Sequence, residues 1–97
     1  MIQTLADEGT YDIYVGTDSK AARRALPKPL WPVAHRKLHW IDAARSVDAL
    51  RMPPGNRLEA LKGDRAGSSS VRINDQYRIT FRFEEGNAYD VSCEDYH

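Results

Sequence analysis

The chain has 97 residues and equal numbers of basic and acidic side chains, 14 each, so its formal net charge is zero. Its length and its 41% hydrophobic content predict one domain, residues 1–97, with a single modest core. Cys93 is the only cysteine, which excludes an internal disulfide, and no apolar run approaches the roughly 20 residues that span a bilayer. Since no basic-then-apolar leader begins the sequence either, we expect a cytoplasmic protein without a membrane partner.

The first part of the chain predicts one short strand and two short helices: Met1 to Leu5, Tyr11 to Val15 and Ser19 to Leu26. Gly16 separates the two helices. Thr17 or Asp18 can cap the second helix by accepting a backbone N–H group.

A longer helix is predicted from about Pro32 to Arg45, because proline is tolerated in a first helical turn. Apolar residues recur there at helical spacing and predict a buried stripe: Ala34, Leu38, Ile41 and Ala44. Ser46 to Leu50 can add one more turn. The run Pro53-Pro54-Gly55 must end it, since proline cannot continue the helical hydrogen bonds.

The second half has a period of two, which is typical of strands. Strands are predicted around Leu58 to Lys62, Val71 to Ile73, Tyr77 to Phe83 and Ala88 to Cys93, with turns at 74–76 and 85–87. Helices followed by strands predict an α+β fold, with the helices on one face of a small twisted antiparallel sheet. The other face is expected to present Arg72, Arg78 and Arg82 to solvent.

Positive charge is concentrated between Arg51 and Arg82, where seven basic residues face three acidic ones. A local excess of this kind can steer a polyanion even on a neutral chain. On charge alone, the favoured interpretation is a set of solvated surface ion pairs with little energetic value.

Four segments occur in a fixed order: Arg57 to Arg65, Val71 to Ile79, Ala88 to Val91, and the final Asp95-Tyr96-His97. Together they resemble the HigB family of toxins, the plasmid-maintenance killer group within the RelE-type superfamily. The resemblance covers nearly the whole chain, and it is weaker before Pro32. Several motifs in order are far more specific than any one of them.

The resemblance implies a ribosome-dependent endoribonuclease that cuts messenger RNA in the decoding site. It also implies a helix-turn-helix antitoxin of the HigA type, which neutralises the toxin and represses the operon with it. No metal or organic cofactor is implied. The active site is expected on the open sheet face near the C-terminus.

Cleavage of RNA without metal uses the 2′-OH as nucleophile and needs a base, an acid and cations for the phosphorane charge. By resemblance, Arg78 holds the phosphate through its planar guanidinium, and Lys62 adds point charge. Three further cations are predicted to contact RNA: Arg65, Arg72 and Arg82. Each could instead be an ordinary surface charge of the sheet.

The last three residues carry the proton-transfer prediction. His97 can act as acid or base because imidazole titrates near neutrality. Tyr96 can stack on a base or donate a hydrogen bond to the phosphate, and Asp95 can orient His97 or pair with an arginine. The alternative is a purely structural role, in which Asp95 and Tyr96 only anchor the last strand.

Glu59 stands where some HigB-type toxins carry a histidine. It is either the base in that histidine's place or a strand-surface charge, and a carboxylate among cations is a weak base. His35 and His39 lie four residues apart on the long helix, but two histidines without a third ligand rarely bind metal. A non-catalytic RNA- or ribosome-binding module and a protein-interaction domain stay open as alternatives.

Overall fold

Three helices form the first half of the chain in the computed structural model, which describes residues 1–96. They are α1 (Glu8–Val15), α2 (Lys20–Ala25) and α3 (Trp31–Ala43). Helix α1 begins three residues before its predicted start because the Asp7 carboxylate accepts a 2.7 Å hydrogen bond from the Thr10 amide. Within residues 1–96, no helix is long and apolar enough to cross a membrane.

The cap of α2 differs from the one predicted. The Ser19 hydroxyl accepts a hydrogen bond from the Ala22 amide at 3.0 Å, so the prediction of Thr17 or Asp18 was wrong. Ser19 is the residue in extended conformation directly before the helix, which aims its hydroxyl at the free N–H groups. Asp18 pairs with Lys28 instead, at 2.8 Å.

Helix α3 packs against the sheet along the predicted stripe. All four stripe residues are buried, which confirms this prediction: Ala34, Leu38, Ile41 and Ala44. The chain then forms short 3₁₀ turns at Val47–Arg51 and Pro54–Asn56 in place of another α-helical turn. These turns connect α3 to the sheet.

Four antiparallel strands form one sheet in the order β1-β2-β3-β4. Their bounds are β1 (Glu59–Ala60), β2 (Ser68–Arg72), β3 (Tyr77–Glu84) and β4 (Asn87–Asp95). The predicted α+β fold, with helices on one face of an antiparallel sheet, is confirmed. Strand β1 is shorter than the predicted Leu58 to Lys62, and β4 extends two residues past the predicted Cys93.

The predicted first strand, Met1 to Leu5, makes only two isolated parallel bridges to β4, at Ala88 and Val91. Between these bridges β4 contains a bulge, where Asp90 adopts a positive φ of 54° and the pairing with β3 shifts register. The Thr4 hydroxyl accepts a hydrogen bond from the Asp90 backbone amide at 2.8 Å. The bulge therefore breaks up what would otherwise be a fifth strand.

The two sheet faces have different roles. Val71, Ile79 and Phe81 belong to the hydrophobic core under the helices. Residues of the opposite face align across the strands, with Ser70 beside Thr80 and Arg72 beside Arg78. This second face contains the candidate site.

Gly9 marks a close approach of α1 to α2. A Cβ atom at this position would lie 2.5 Å from the Ala21 carbonyl oxygen and 2.8 Å from the Ala25 Cβ. We expect Gly9→Ala to destabilise the fold by about 1–3 kcal/mol, because backbone must move to admit the methyl group. Urea denaturation measures the change; Gly55→Ala, where nothing lies within 4 Å, is the matched control. An unchanged midpoint for Gly9→Ala would contradict this packing.

Candidate functional site

Arg78 lies on the sheet face opposite the helices, but only 9% of its side chain is exposed. The expectation that this face presents Arg78 to solvent was therefore wrong. Its Nε donates to the Ser70 hydroxyl at 2.7 Å, and its Nη2 donates to the carbonyl of Arg57. The chain after the Pro54–Asn56 turn thus folds against Arg78 and fixes its guanidinium in one orientation.

Glu59 and Tyr96 complete a group that we name the Arg78 cluster: Arg78, Glu59 and Tyr96. The Glu59 carboxylate lies 3.9 Å from the Arg78 guanidinium, and the Tyr96 ring centre lies 5.3 Å from it. The Tyr96 hydroxyl donates to Glu59 at 3.3 Å. Burial lowers the pKa of Arg78, and the nearby Glu59 opposes this effect. An arginine still keeps its charge at neutral pH, so a cation, a carboxylate and a phenol meet here.

A second group on the same face, the Arg65 clamp, consists of Arg65, Glu94 and Thr80. Arg65 donates two parallel hydrogen bonds to the Glu94 carboxylate, at 2.9 and 2.8 Å, and a third to the Thr80 hydroxyl at 3.1 Å. Thr80 in turn donates to Glu94. The hydrogen bonds from Arg65 lower the pKa of Glu94, so the pair is ionised at neutral pH.

The other predicted RNA-binding arginines are also engaged with acids. Arg72 pairs with Asp75. Arg82 lies 2.8 Å from Glu84 and 3.7 Å from Asp90, and it stacks over the Tyr89 ring at 4.7 Å. Much of the positive charge counted in the sequence is therefore balanced locally.

Two further cations, in the segment between the Pro54–Asn56 turn and β2, are exposed to solvent: Arg57 and Lys62. Lys62 is exposed and makes no hydrogen bond or ion pair with any side chain in the described part of the chain. Arg57 is exposed, adopts a positive φ of 45°, and its charge contributes to lowering the pKa of Arg78. Sequence reasoning missed Arg57 as a site residue, because no motif signals its left-handed backbone.

Asp95 lies at the end of β4, in register with Tyr77. Its carboxylate accepts a hydrogen bond from the Gln76 amide at 2.9 Å. Since successive strand residues alternate between faces, Asp95 belongs to the face opposite Glu94 and Arg78. His97, the predicted proton-transfer residue, lies outside the described residues.

His35 and His39 have a structural role between two helices. Their rings donate to the carbonyls of Ile13 and Tyr14, at 3.1 and 3.3 Å, because a carbonyl oxygen can only accept. These bonds join α3 to the end of α1, where carbonyl groups lack helical partners. In residues 1–96, no three potential metal-ligating side chains group together.

Comparisons with known proteins agree with the resemblance seen in the sequence. The family model for the RelE-like toxin of the type II toxin–antitoxin system HigB matches residues 3–97. Toxin HigB-1 of Vibrio cholerae serotype O1 is 43% identical over 65 residues, which cover 67% of this chain and 68% of the relative. Endoribonuclease HigB of Proteus vulgaris is 41% identical over 61 residues, covering 63% of this chain and 65% of the relative.

A solved structure has the same fold at low sequence identity. A chain of the YoeB-YefM complex from Staphylococcus aureus superposes with a TM-score of 0.61 and 18% identity. The match covers 100% of this chain and 98% of that one. At this identity the likeness concerns the fold alone.

Proposed function

Since this chain belongs to the HigB-like family of RelE-like toxins, we propose that it is a ribosome-dependent endoribonuclease that cleaves translated messenger RNA in the cytoplasm. The observation that carries the proposal is the Arg78 cluster. A buried guanidinium held by Ser70 and Arg57 faces a carboxylate and a phenol on the sheet face opposite the helices. The similarity to Endoribonuclease HigB of Proteus vulgaris supports the same activity.

In the proposed reaction the ribose 2′-OH attacks the adjacent phosphorus and the 5′-oxygen leaves. Arg78 stabilises the charge that develops on the non-bridging oxygens, and its fixed orientation avoids a reorganisation cost during the reaction. Lys62, which is exposed and lies three residues after Glu59, adds positive charge to the phosphate. Arg72 and Arg82 contribute more weakly, because each is paired with an acid.

The proposed proton carriers are Glu59 and His97. Glu59 takes the proton from the 2′-OH, and His97 delivers one to the 5′-oxygen as an imidazolium. Tyr96 stacks on a nucleobase or donates its hydroxyl to the phosphate, at the expense of its bond to Glu59. Asp95, held by Gln76, fixes the backbone from which His97 extends.

Glu59→Gln is expected to lower the rate of cleavage by about 10²-fold, the lower end of what a general base contributes. The amide keeps the shape of the side chain and can still accept from Tyr96, so binding should change little. Single-turnover cleavage on programmed ribosomes measures the rate. Glu85→Gln, in the exposed turn between β3 and β4, is the control. A near-wild-type rate for Glu59→Gln would make Glu59 a surface charge only.

The proposed partner is an antitoxin of the HigA type with a helix-turn-helix domain. Membership in a toxin–antitoxin family supports an antitoxin, and the similar Staphylococcus aureus structure is itself a YoeB-YefM complex. Co-expression with the neighbouring small gene should give a complex on pull-down and restore growth. If neither a complex nor restored growth is observed, the proposed antitoxin partner is wrong.

Expression of the chain alone tests the proposed function directly. Growth should stop, and primer extension should show new 5′ ends inside coding sequences that are being translated. Purified protein should cut naked RNA poorly, because the paired arginines leave few groups to position a free substrate. Efficient cleavage of naked RNA would contradict ribosome dependence. Growth without any new 5′ ends would instead favour a non-catalytic binding module.

A further inference from the structure

The Arg65 clamp joins two segments that both belong to the proposed site. Arg65 ends the 3₁₀ turn Gly63–Arg65, which follows directly after Lys62. Glu94 lies on β4 immediately before Asp95 and Tyr96. One bidentate ion pair therefore connects the loop that carries Lys62 to the strand that carries the terminal residues.

The clamp geometry leaves the Arg65 guanidinium little freedom to bind RNA. Two of its nitrogens face the Glu94 oxygens at 2.9 and 2.8 Å, and one of them also reaches Thr80. Glu94 is itself partly buried, with 30% of its side chain exposed, and it accepts a further bond from Thr80. If Arg65 bound a phosphate, the Glu94 carboxylate would lose its main hydrogen-bond partner. This loss is costly because Glu94 is partly buried.

The loop has few other attachments to the sheet. Backbone hydrogen bonds hold it at Leu61, which donates to Ser68 at 2.9 Å, and within the turn itself, where Ala66 donates to Gly63. Strand β1 has only two residues. Within the described residues of the Gly63–Arg65 turn, the Arg65 side chain is the one that donates hydrogen bonds to β3 and β4.

We propose that Arg65 and Glu94 are positioning residues, which set the distance between Lys62 and the Arg78 cluster and do not contact RNA themselves. This inference rests on the proposed function, because it assigns Lys62 and the cluster to the same phosphate. Loss of either partner frees the Lys62 loop and displaces the end of β4. Chemistry is then impaired while RNA binding is retained.

A double-mutant cycle tests the pair. Arg65→Ala, Glu94→Ala and the double variant should each lower kcat by about 10–10²-fold, the effect of misplacing reacting groups by roughly an ångström. The double variant should be no worse than either single one, because both remove the same connection. KM should stay within about twofold, and the salt dependence of ribosome binding should keep its wild-type slope. The exposed pair Asp48 and Arg51, changed to alanine in the same way, is the control.

A phosphate-binding role for Arg65 predicts the opposite pattern. Glu94→Ala would then release Arg65 and keep or raise activity, and Arg65→Ala would reduce the salt slope by about one. Either result overturns the inference. A wild-type protein without any cleavage would instead count against the proposed function, so the two failures are distinguishable.

Hydrogen exchange provides a readout that does not depend on activity. The amides of Leu61 and Ala66 should exchange faster in Arg65→Ala and in Glu94→Ala, while the buried Ile79 and Phe81 amides on β3 should keep their protection. A more conservative variant, Glu94→Gln, covers the case in which the alanine variants fold poorly. Unchanged exchange at residues 61–66 in folded variants would show that the clamp does not hold the loop, and would overturn the inference.

Discussion

Replacing Arg78 by lysine or alanine is expected to lower the rate of messenger RNA cleavage on ribosomes by about 10²–10³-fold. A preorganised donor to a developing oxyanion typically contributes this much. Arg78 is fixed by Ser70 and Arg57, so its guanidinium meets the phosphate without first changing orientation. Lysine keeps the charge but lacks the planar guanidinium that Ser70 and Arg57 hold in place, so it tests the fixed orientation separately from the charge. Single-turnover cleavage with saturating ribosomes measures the loss.

Stability must be measured alongside, because Arg78 is buried and hydrogen-bonded. The alanine variant leaves the Arg57 carbonyl and the Ser70 hydroxyl without their hydrogen-bond donor. Because buried polar groups without a partner are costly, we expect the free energy of unfolding to fall by about 1–3 kcal/mol. Ser70→Ala removes one anchor only and should cause a smaller loss of rate. Arg51→Ala, on an exposed 3₁₀ turn, serves as the control. Full activity in a folded Arg78→Lys protein would show that the site is assigned wrongly.

Replacing His97 by glutamine is expected to lower cleavage by about 10²–10⁴-fold, the usual contribution of a general acid or base. The expectation derives from the family resemblance and from imidazole chemistry. If His97 is the acid, the variant should lose the part of the pH dependence near neutrality that an imidazole confers. Rates measured between pH 5.5 and 8.5 provide the comparison.

Tyr96→Phe separates the roles of the two neighbouring terminal residues. It keeps the ring over Arg78 and removes the hydroxyl that donates to Glu59. We expect it to retain the pH dependence of the wild-type protein at a reduced rate. If His97→Gln kept both the rate and the pH profile, another group would have to deliver the proton.

The sequence by itself determined the fold class and the family. Helical spacing predicted the buried stripe of α3, and alternation predicted β3, because periodicity records which side of an element meets the core. The ordered motifs identified the family. The same pattern placed Arg78 on the face away from the helices, and the structure confirms that placement.

Only the tertiary structure decided which of the arginines remain available. Alternation cannot tell that the chain after Pro54–Asn56 covers Arg78, or that Arg65 meets Glu94, which is 29 residues away. The sequence pattern also could not predict caps and bulges. Ser19 caps α2 in place of the predicted Thr17 or Asp18, and the bulge at Asp90 in β4 interrupts the pairing of the predicted strand Met1 to Leu5. Each depends on contacts between distant segments or on one residue's backbone angles. The sequence therefore shows which basic residues are present. The acidic groups and carbonyls that each of them meets in the folded chain decide which of them can bind a phosphate.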